Sequence, residues 1–272
     1  MKSKIKKNTL KFNIVAMLFL AIVLIFSCRN AATKPTLKVC FLDYNEPLSN
    51  ELSDKTRPGI YVEIAKLLAK ELGRSLEAFY IKGAFYNRPI RNGLLSEKCD
   101  CQFGLPRTEG KWYIPRKVLL SDSFMEVGYS LVVPKHSSIH DFSSLKNKKI
   151  AVQSGSPPHE SLMGVEGVEL HFFKLAENAL EALHSKKVDA AFVWGAVAGF
   201  KNKEQYSEQY KVIPSEYQWA VSIGVRGDDS SLVEELNIAL GTLSDEIELI
   251  KNDFGYPKGE KIIMPKLMYY DK

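Results

Sequence analysis

The sequence predicts an α/β protein of two lobes, each a mainly parallel sheet flanked by helices, that hinge like a clamshell. Three observations predict it. Strand and helix patterns alternate after residue 36, the alternation restarts after residue 131, and the residues before 28 have the composition of an export leader. The remaining chain of about 240 residues suits two lobes of roughly 100–120 residues each.

The first 27 residues resemble a bacterial signal peptide. Five lysines and no acidic residue precede the apolar run from Ile14 to Phe26. That run has 13 residues, whereas a helix that spans a bilayer needs about 20. Ser27 then precedes Cys28, which resembles the lipobox of bacterial lipoproteins. We expect a signal peptide over 1–27, a lipid on Cys28, a tether over 28–36, and a periplasmic protein that touches a membrane only through its lipid anchor. Plain secretion is the alternative.

The charge balance argues against nucleic acid or an anionic membrane surface as a partner. The whole chain carries a formal charge of +5, but the leader accounts for it, and the rest holds 32 basic and 32 acidic residues. A balanced chain has no large field of one sign to attract a phosphate-rich surface.

The first lobe follows a strand-helix-strand-helix-strand order, and Gly73 caps its first, amphipathic helix. The five elements lie at 37–43, 59–73, 75–81, 87–98 and 100–105. This order within about 70 residues predicts that the strands pair in parallel.

A strand at 128–134 leads into the second lobe. There helices and strands alternate again, at 141–147, 148–156, 157–164, 168–173, 175–187, 188–194 and 196–203. A strand at 219–227 and one long helix at 230–255 follow. We place lobe 1 at 37–130 and 223–272, and lobe 2 at 131–222. The two-lobe arrangement does not require the tail from residue 256 onward, and the sequence assigns no function to it.

Three cysteines remain after the leader, at positions 40, 99 and 101. In an oxidising compartment, two of them pair and one is left over. Cys40 ends the first strand, and Cys99 and Cys101 flank the start of the third. If these strands are neighbours, about 5 Å apart, a bridge from Cys40 to either is sterically allowed. A metal site at Cys-Asp-Cys lacks a third and fourth soft ligand.

Trp194 poses the functional question. The apolar strand before it ends at the carboxyl edge of a parallel sheet, where open α/β proteins hold their ligands. By the same topology, four more residues are expected at this edge: Tyr44, Glu46, Phe85 and Tyr86. Aromatic loop residues suit contact with a ligand or partner, and packing into the core is the alternative role for Phe85 and Tyr86. Packing between the lobes is the alternative role for Trp194.

Six stretches carry a family resemblance in their order along the chain: the leader, 37–50, 59–73, 154–156, 188–194 and 222–227. They resemble the type II periplasmic solute-binding proteins, bacterial extracellular solute-binding family 3, over essentially the whole exported chain. The resemblance implies two lobes that close on a ligand, usually to deliver it to the permease of an ABC importer.

The amino-acid-binding branch of that family needs three groups: a guanidinium for the α-carboxylate, helix-end N–H groups beside it, and a carboxylate for the ammonium group. The resemblance places the guanidinium near Ile114, with Arg116 and Arg107 as candidates. The other anion-binding positions map to Ser123, Phe124, Gln153, Ser154, Gly155 and Ser156.

The family's carboxylate position maps to Trp194 in this chain. The nearest acid, Asp189, lies at the other end of the strand, roughly 16 Å away. A buried cation without its carboxylate loses several kcal/mol, so we expect that the cleft does not hold a free amino acid. An indole offers an apolar face and one N–H donor, and cation–π contact is an alternative use of it.

A narrower branch resembles the chain more closely: the J-type accessory proteins associated with quinoprotein (methanol) dehydrogenases. The signature maps to Val193, Trp194 and Gly195, and two branch cysteines map to Cys40 and Cys99. The resemblance implies a Cys40–Cys99 disulfide and a periplasmic helper of a PQQ-dependent alcohol dehydrogenase, with the dehydrogenase or its cytochrome c as partner. Its cleft would grip a protein segment or an apolar group. A substrate-binding lipoprotein with an ABC permease as partner is the alternative.

Other chemistry has weak support. His136 and His140 have a metal-like spacing only on a helix, and the flanking serines predict a loop. The serines and histidine of 154–160 lack an orienting acid and an oxyanion site. A dehydratase on this scaffold needs a cleft acid, for which Glu46 and Glu109 are the candidates. We therefore expect a binding protein that is not an enzyme, with no metal and no cofactor.

Overall fold

The computed structural model describes residues 35–83, 87–107 and 114–263, and from Thr36 onward these form one compact unit. The predicted leader with Cys28, the loop residues Phe85 and Tyr86, and Glu109 lie outside the described residues. Among the helices that are described, none is both long and apolar enough to cross a bilayer.

The first part of the chain forms the predicted β-α-β-α-β unit. Its elements are β1 (Thr36–Leu42), α1 (Ile60–Glu71), β2 (Ser75–Ile81), α2 (Asn87–Asn92) and β3 (Cys101–Pro106). The apolar residues of α1 recur at helical spacing, and Ile60, Ile64 and Leu68 are fully buried against the sheet. The predicted helix at 87–98 stops at Asn92, and a short 3-10 turn at Leu94–Ser96 completes it.

The second part repeats the alternation of strands and helices. Its elements are β4 (Val118–Pro134), β5 (Lys148–Gln153), α3 (Pro157–Leu162), β6 (Val168–Phe173), α4 (Ala176–His184), β7 (Ala190–Trp194), α5 (Gly195–Glu204), β8 (Tyr210–Arg226), α6 (Ser230–Thr242) and α7 (Ser244–Asp253). The predicted helix at 141–147 is only the 3-10 turn Ser143–Leu145.

One mixed sheet of eight strands, in the order β2-β1-β3-β8-β4-β7-β5-β6, runs through both lobes. The outer strands pair in parallel: β1 with β2 and β3, and β5 with β6 and β7. β4 and β8 are antiparallel to each other and to β7 and β3 on either side. The prediction of mainly parallel sheets is therefore corrected, because the two connecting strands are themselves the middle of the sheet. The predicted lobe boundaries fall inside β4 and β8 and stay a prediction.

An aspartate directly precedes the third parallel strand of each lobe and makes the same pair of hydrogen bonds there. Asp100 accepts a hydrogen bond from the backbone N–H of Lys38 at 2.8 Å and donates its own N–H to the carbonyl of that residue. Asp189 does the same with Lys149, at 2.8 Å in both directions. Each carboxylate thus fixes the register of a parallel pair at its amino end, which explains why Asp189 is unavailable to the cleft.

Two predicted elements change shape because of long-range pairing. The strand at 128–134 begins ten residues earlier, at Val118, because β8 supplies ladder partners for it from Arg226 back to Tyr210. The predicted helix at 230–255 breaks at Leu243. There Thr242 donates its hydroxyl to the carbonyl of Ile238 at 3.0 Å, a bond that bends helices.

The core lies in four clusters, of which a small one surrounds Cys40 and Cys99 in the first lobe. The largest cluster of buried side chains fills the first lobe beneath α1 and α6, and the second lobe has one cluster under α4 and α5 and another under α3. Trp194 packs against the first-lobe cluster and against the cluster under α4 and α5. Its side chain therefore bridges the two lobes.

The predicted disulfide is confirmed: Cys40 and Cys99 are bonded, with their Cα atoms 5.7 Å apart. Cys101 lies two residues further along, and successive residues of a strand face opposite sides of a sheet. It stands beside Val39 in the register and is buried in the first-lobe core, away from the disulfide.

Replacing both Cys40 and Cys99 by Ala should lower the free energy of unfolding by about 4 kcal/mol, because the bond closes a long loop in the unfolded chain. Urea unfolding of the exported chain measures this. Cys101→Ala, which deletes a buried thiol but no cross-link, is the matched control and should cost about 1 kcal/mol. Equal losses in the two variants would contradict the assignment.

The free energy of unfolding should fall in mild alkali because of Cys101. Burial raises the pKa of its thiol, and the Asp100 carboxylate adds to the rise. The thiol of the unfolded chain ionises above a pH of about 8.5, while the native thiol stays protonated. The contribution of Cys101 to the free energy of unfolding is therefore fully present below that pH and is lost as the pH rises above it. Between pH 8 and pH 9.5 (approximately) the wild type should lose about 1 kcal/mol more than Cys101→Ala. Identical pH profiles would refute this.

Candidate functional site

A small cavity of about 40 Å³ lies where the parallel strands β1 and β3 of the first lobe meet Trp194 of the second lobe. One part of its wall comes from the loop after β1 and from the first-lobe helices: Leu42, Asn45, Leu48, Tyr61 and Pro89. The other part comes from β3, β4 and β7: Gln102, Phe103, Gly104, Val127 and Trp194. This is the strand edge at which the sequence predicts a ligand site.

Trp194 both packs between the lobes and lines the cavity. Its ring packs edge-on against Tyr129, with centroids 5.4 Å apart, and lies 5.5 Å from the ring of Trp219. The indole is partly buried and also lines the cavity. Gly195, which follows it, starts α5 against β4: an added Cβ there would lie 2.5 Å from the Ser130 hydroxyl. The absence of a side chain at Gly195 therefore allows the start of α5 to pack closely against β4, which holds Trp194 in place.

Among the described residues that line the cavity, none carries a carboxylate, ammonium or guanidinium group. Its one side-chain amide deep in the sheet is Gln102, which is 3% exposed. The Gln102 Oε1 atom is buried and accepts no hydrogen bond from any described residue. Leaving a buried acceptor unpaired costs about 1–3 kcal/mol, so the described part of the chain leaves this acceptor available to a further donor.

A bulge in β3 shapes the wall beside Gln102. The register with β8 shifts between Gln102 and Leu105, and Gly104 in the shifted segment has φ +79°. A Cβ at Gly104 would lie 2.7 Å from the Tyr61 ring. The glycine thus allows the ring to lie over the strand, and bulges of this kind re-aim side chains at sites.

The predicted anion-binding helix start has its donors already engaged. Ser154 donates its N–H to the Phe173 carbonyl, Gly155 to Nδ1 of His159, and Ser156 to the Gln153 carbonyl. The Ser156 hydroxyl caps the N–H of His159. The next two residues are prolines, which have no N–H to offer. This turn therefore has no free backbone N–H group with which to cradle a carboxylate.

The two candidate arginines do not line the cavity. Arg107 is half exposed and donates to the Ser121 carbonyl at 2.8 Å, with the Asp122 carboxylate 3.4 Å away. Arg116 is exposed in the turn before β4. Both side chains thus belong to the surface near the start of β4.

The predicted turn at Ser123 and Phe124 is instead part of the long strand β4. Ser123 is exposed and lines a separate pocket, together with Gln218 and Tyr256, and does not line the cavity. Phe124 is buried, with its ring 5.5 Å from Tyr61 and 5.4 Å from Phe103. Phe124 therefore supports the cavity wall from behind.

The rim residues Tyr44 and Glu46 are exposed beside the cavity. Their loop is fixed by Asp43, which is 5% exposed and accepts N–H bonds from Tyr44 at 2.9 Å and Glu51 at 3.0 Å. The Lys82 ammonium lies 5.6 Å from the Tyr44 ring centroid. The rim is therefore aromatic and mixed in charge, in contrast to the neutral interior.

Helix α5 of the second lobe is held against the first by contacts that sequence patterns did not reveal. Arg57 lies 3.3 Å from the Glu204 carboxylate and 3.3 Å from that of Asp253. Its guanidinium also lies 4.6 Å from the Phe254 ring centroid, and that ring stacks on Phe200. A lone arginine in a polar loop gives no signal that would have identified this role.

The tail beyond α7 completes the junction of the lobes. Tyr256 donates its hydroxyl to the Glu126 carbonyl at 2.7 Å. Ile262 pairs with β8 through backbone bonds to Pro214 at 2.8 Å and from Glu216 at 3.1 Å, and its side chain is buried in the second lobe. The tail therefore covers an edge of β8 between the lobes, a role the sequence did not suggest.

Among the described residues, no three histidine, cysteine or acidic side chains converge as a metal site would require. His140 accordingly lies in a loop, with Nδ1 2.7 Å from the Ser138 carbonyl. The candidate site is thus an aromatic, uncharged cavity at the meeting point of two lobes, which defines a ligand-binding clamshell.

Comparison with known proteins agrees with this class. No family model matches the chain. The arginine-binding extracellular protein ArtP of Bacillus subtilis is 30% identical over 211 residues, which are 75% of this chain and 79% of ArtP. The chain therefore belongs to the extracellular solute-binding proteins of family 3, as its motifs predicted.

Two solved structures show the same fold. The substrate-binding protein of a polar amino acid ABC uptake transporter from Streptococcus thermophilus matches with a TM-score of 0.68 and 20% identity, over 81% of this chain and 86% of that one. MxaJ from Methlophaga aminisulfidivorans MPT matches with a TM-score of 0.61 and 25% identity, over 82% and 99%.

Gly199 should be intolerant of even one added methyl group, because a Cβ there would lie 2.0 Å from the Gly255 carbonyl oxygen. We expect Gly199→Ala to lower the free energy of unfolding by about 1–3 kcal/mol. Gly241→Ala is the matched control: this helical glycine faces open space, so the change should raise stability by about 0.5–1 kcal/mol. Thermal unfolding of both variants measures these changes. If both substitutions lowered the stability, or both raised it, the prediction would be wrong.

Proposed function

We propose that the protein is the solute-binding component of an ABC importer, which encloses a small solute between its lobes and presents it to a membrane permease. The observation that carries the proposal is the buried cavity closed by Trp194 in a chain 30% identical to arginine-binding ArtP. Clefts between domains are preferred ligand sites, and a Trp face with one polar group is a common lining.

The solute differs from a free amino acid. The described lining residues offer no acid for an ammonium group and no base for a carboxylate, and the N–H groups of the turn before α3 are engaged within the chain. A buried unpaired ion loses several kcal/mol. A cavity of about 40 Å³ has room for about three water molecules, so the enclosed part of the solute is small.

The lobes must separate before a solute enters the cavity. The two strands that cross between the lobes, β4 and β8, are where this movement takes place. The ladder between β4 and β8 is interrupted between Gly128 and Ser130, where the two lobes meet. Opening there moves Trp194 away from Tyr61 and Gln102 and admits the solute.

We further propose that the chain is exported, that Cys28 carries a lipid, and that the tether over 28–36 keeps the first lobe near the permease.

A library of neutral and charged metabolites should contain compounds that raise the melting temperature of the exported chain begun at Arg29. At a ligand concentration of about 100 Kd the stabilisation is about 2.7 kcal/mol, or roughly 5–10 °C for a protein of this size. Scanning fluorimetry measures it, and the Trp194→Ala variant is the control in which the same compounds should have little effect. Shifts that are equal in the two proteins would place the site elsewhere.

Trp194→Asp should create affinity for free arginine. The change restores a carboxylate for the ammonium group and removes the indole that fills the space. Calorimetry should show at least tenfold tighter arginine binding than in the wild type. Trp194→Asn, which opens the same space without a charge, should not gain it. Tight, stoichiometric uptake of a common amino acid by the wild type would overturn the assignment of the solute.

A second function is favoured by three specific features. The disulfide Cys40–Cys99 and the sequence Val193-Trp194-Gly195 match the quinoprotein-dehydrogenase accessory branch that the chain resembles, and MxaJ is 25% identical with a TM-score of 0.61. In this case the indole and rim receive a protein partner, either the dehydrogenase or its cytochrome c. Pull-down from the native periplasm decides between the two: recovery of these proteins favours the accessory role, and recovery of a permease favours import.

A further inference from the structure

Gln102 occupies a position in β3 where packing alone gives no reason for an amide. It stands between Cys40 of β1 and Gly224 of β8 in the sheet register, and its neighbours in the strand, Cys101 and Phe103, are buried apolar residues. It is 3% exposed, and its Oε1 atom finds no donor among the described residues. An apolar residue would leave no unsatisfied acceptor there.

The same side chain lines the inter-lobe cavity. Trp194 and Phe103 provide aromatic surfaces to that cavity, and Leu48 and Val127 add aliphatic ones. No charged side chain contributes to the wall within the part of the chain that the structure describes. A charged group placed there would lose its hydration without gaining an ion partner, whereas a neutral donor would gain the acceptor that the fold leaves unused.

We propose that the protein selects uncharged solutes whose buried end is a small N–H or O–H donor, such as a primary amide, which bonds to Oε1 of Gln102 and lies against the Trp194 indole. This inference rests on the proposed solute-binding function and specifies its ligand class. Gln102 acts as the specificity-determining acceptor, and the aromatic and aliphatic wall excludes ions by withholding a counter-charge.

The size of the cavity limits what the donor group is attached to. About 40 Å³ accommodates about three water molecules, which suits an amide or hydroxyl with a short apolar segment. A longer solute would extend toward the rim, where Tyr44 and Glu46 are exposed. The selection for neutrality therefore acts on the enclosed end of the solute.

Three probes of similar size and different charge test the proposal: propionamide, propionate, which has the same planar shape, and propylammonium. Saturation-transfer NMR and tryptophan fluorescence with the exported chain should show propionamide binding at least tenfold tighter than either ion. Gln102→Leu should weaken propionamide binding at least tenfold. Gln102→Glu, which keeps the shape and adds a charge, should reverse the preference toward propylammonium.

A stability readout separates recognition from a structural role. Gln102→Leu removes an unpaired buried acceptor, so the melting temperature should stay equal or rise while propionamide binding falls. A lower melting temperature would mean that Gln102 has a partner within the chain, and it would overturn the proposal. Gln102→Met is the second variant, because methionine is unbranched like glutamine and fits the site if leucine packs poorly. It too should keep the melting temperature equal or higher and weaken propionamide binding.

The outcomes also distinguish this inference from the proposed function. If library solutes raise the melting temperature in a Trp194-dependent way but charged and neutral probes bind equally, import stands and the selection by Gln102 is wrong. If Gln102→Leu leaves the binding of every probe unchanged, the selection is again wrong. If no solute and no probe binds the wild type, both the solute-binding function and the inference that rests on it fail.

Discussion

The antiparallel pairing of β4 with β8 is the constraint on which the rest of the molecule depends. Each strand has 17 residues and passes from one lobe to the other. The three parallel strands of each lobe find their inner neighbour in this pair, so neither lobe completes its sheet without it. The ladder between β4 and β8 shifts register near Ser123 in the first lobe and again between Gly128 and Ser130, where the lobes meet. The cavity lies beside the second of these shifts, and any change in the angle between the lobes opens or closes it.

The chemistry of the cleft follows from which polar groups the fold has already used. Asp189 is bound to the backbone of Lys149 at the far end of its strand, and the serine-rich turn before α3 satisfies its own N–H groups. What remains in the cavity is an uncharged wall and one unpaired acceptor, on Gln102. The scaffold of an amino-acid-binding family is thus retained while the charges that suit an amino acid are missing from the described wall. A neutral solute, or an apolar partner segment, is the chemistry that such a wall accepts.

Contacts outside the cavity hold the two lobes together as firmly as the cleft does. Arg57 joins both lobes through two carboxylates and the Phe254 ring, although exposed ion pairs of this kind contribute only about 0–1 kcal/mol each. The close approach of Gly199 to Gly255, with no side chain between the backbones, excludes water and is sensitive to a single methyl group. Ile262 then adds the tail to the edge of β8. Packing and backbone pairing therefore contribute to the junction between the lobes in addition to the residues that line the cavity.

The sequence by itself determined the alternation of strands and helices, the parallel pairs at both ends of the sheet, and the position of Trp194 at a strand edge. These features follow from local periodicity and from a topological rule that needs no coordinates, and the family resemblance supplied the Cys40–Cys99 pair. Only the tertiary structure decided that β4 and β8 form one long ladder, that the last helix breaks at Leu243, and that Gln102 lacks a partner. Each of these depends on residues far apart in the chain, whose distances and hydrogen bonds no local pattern records. Whether a polar group is satisfied is a property of its surroundings in the folded state.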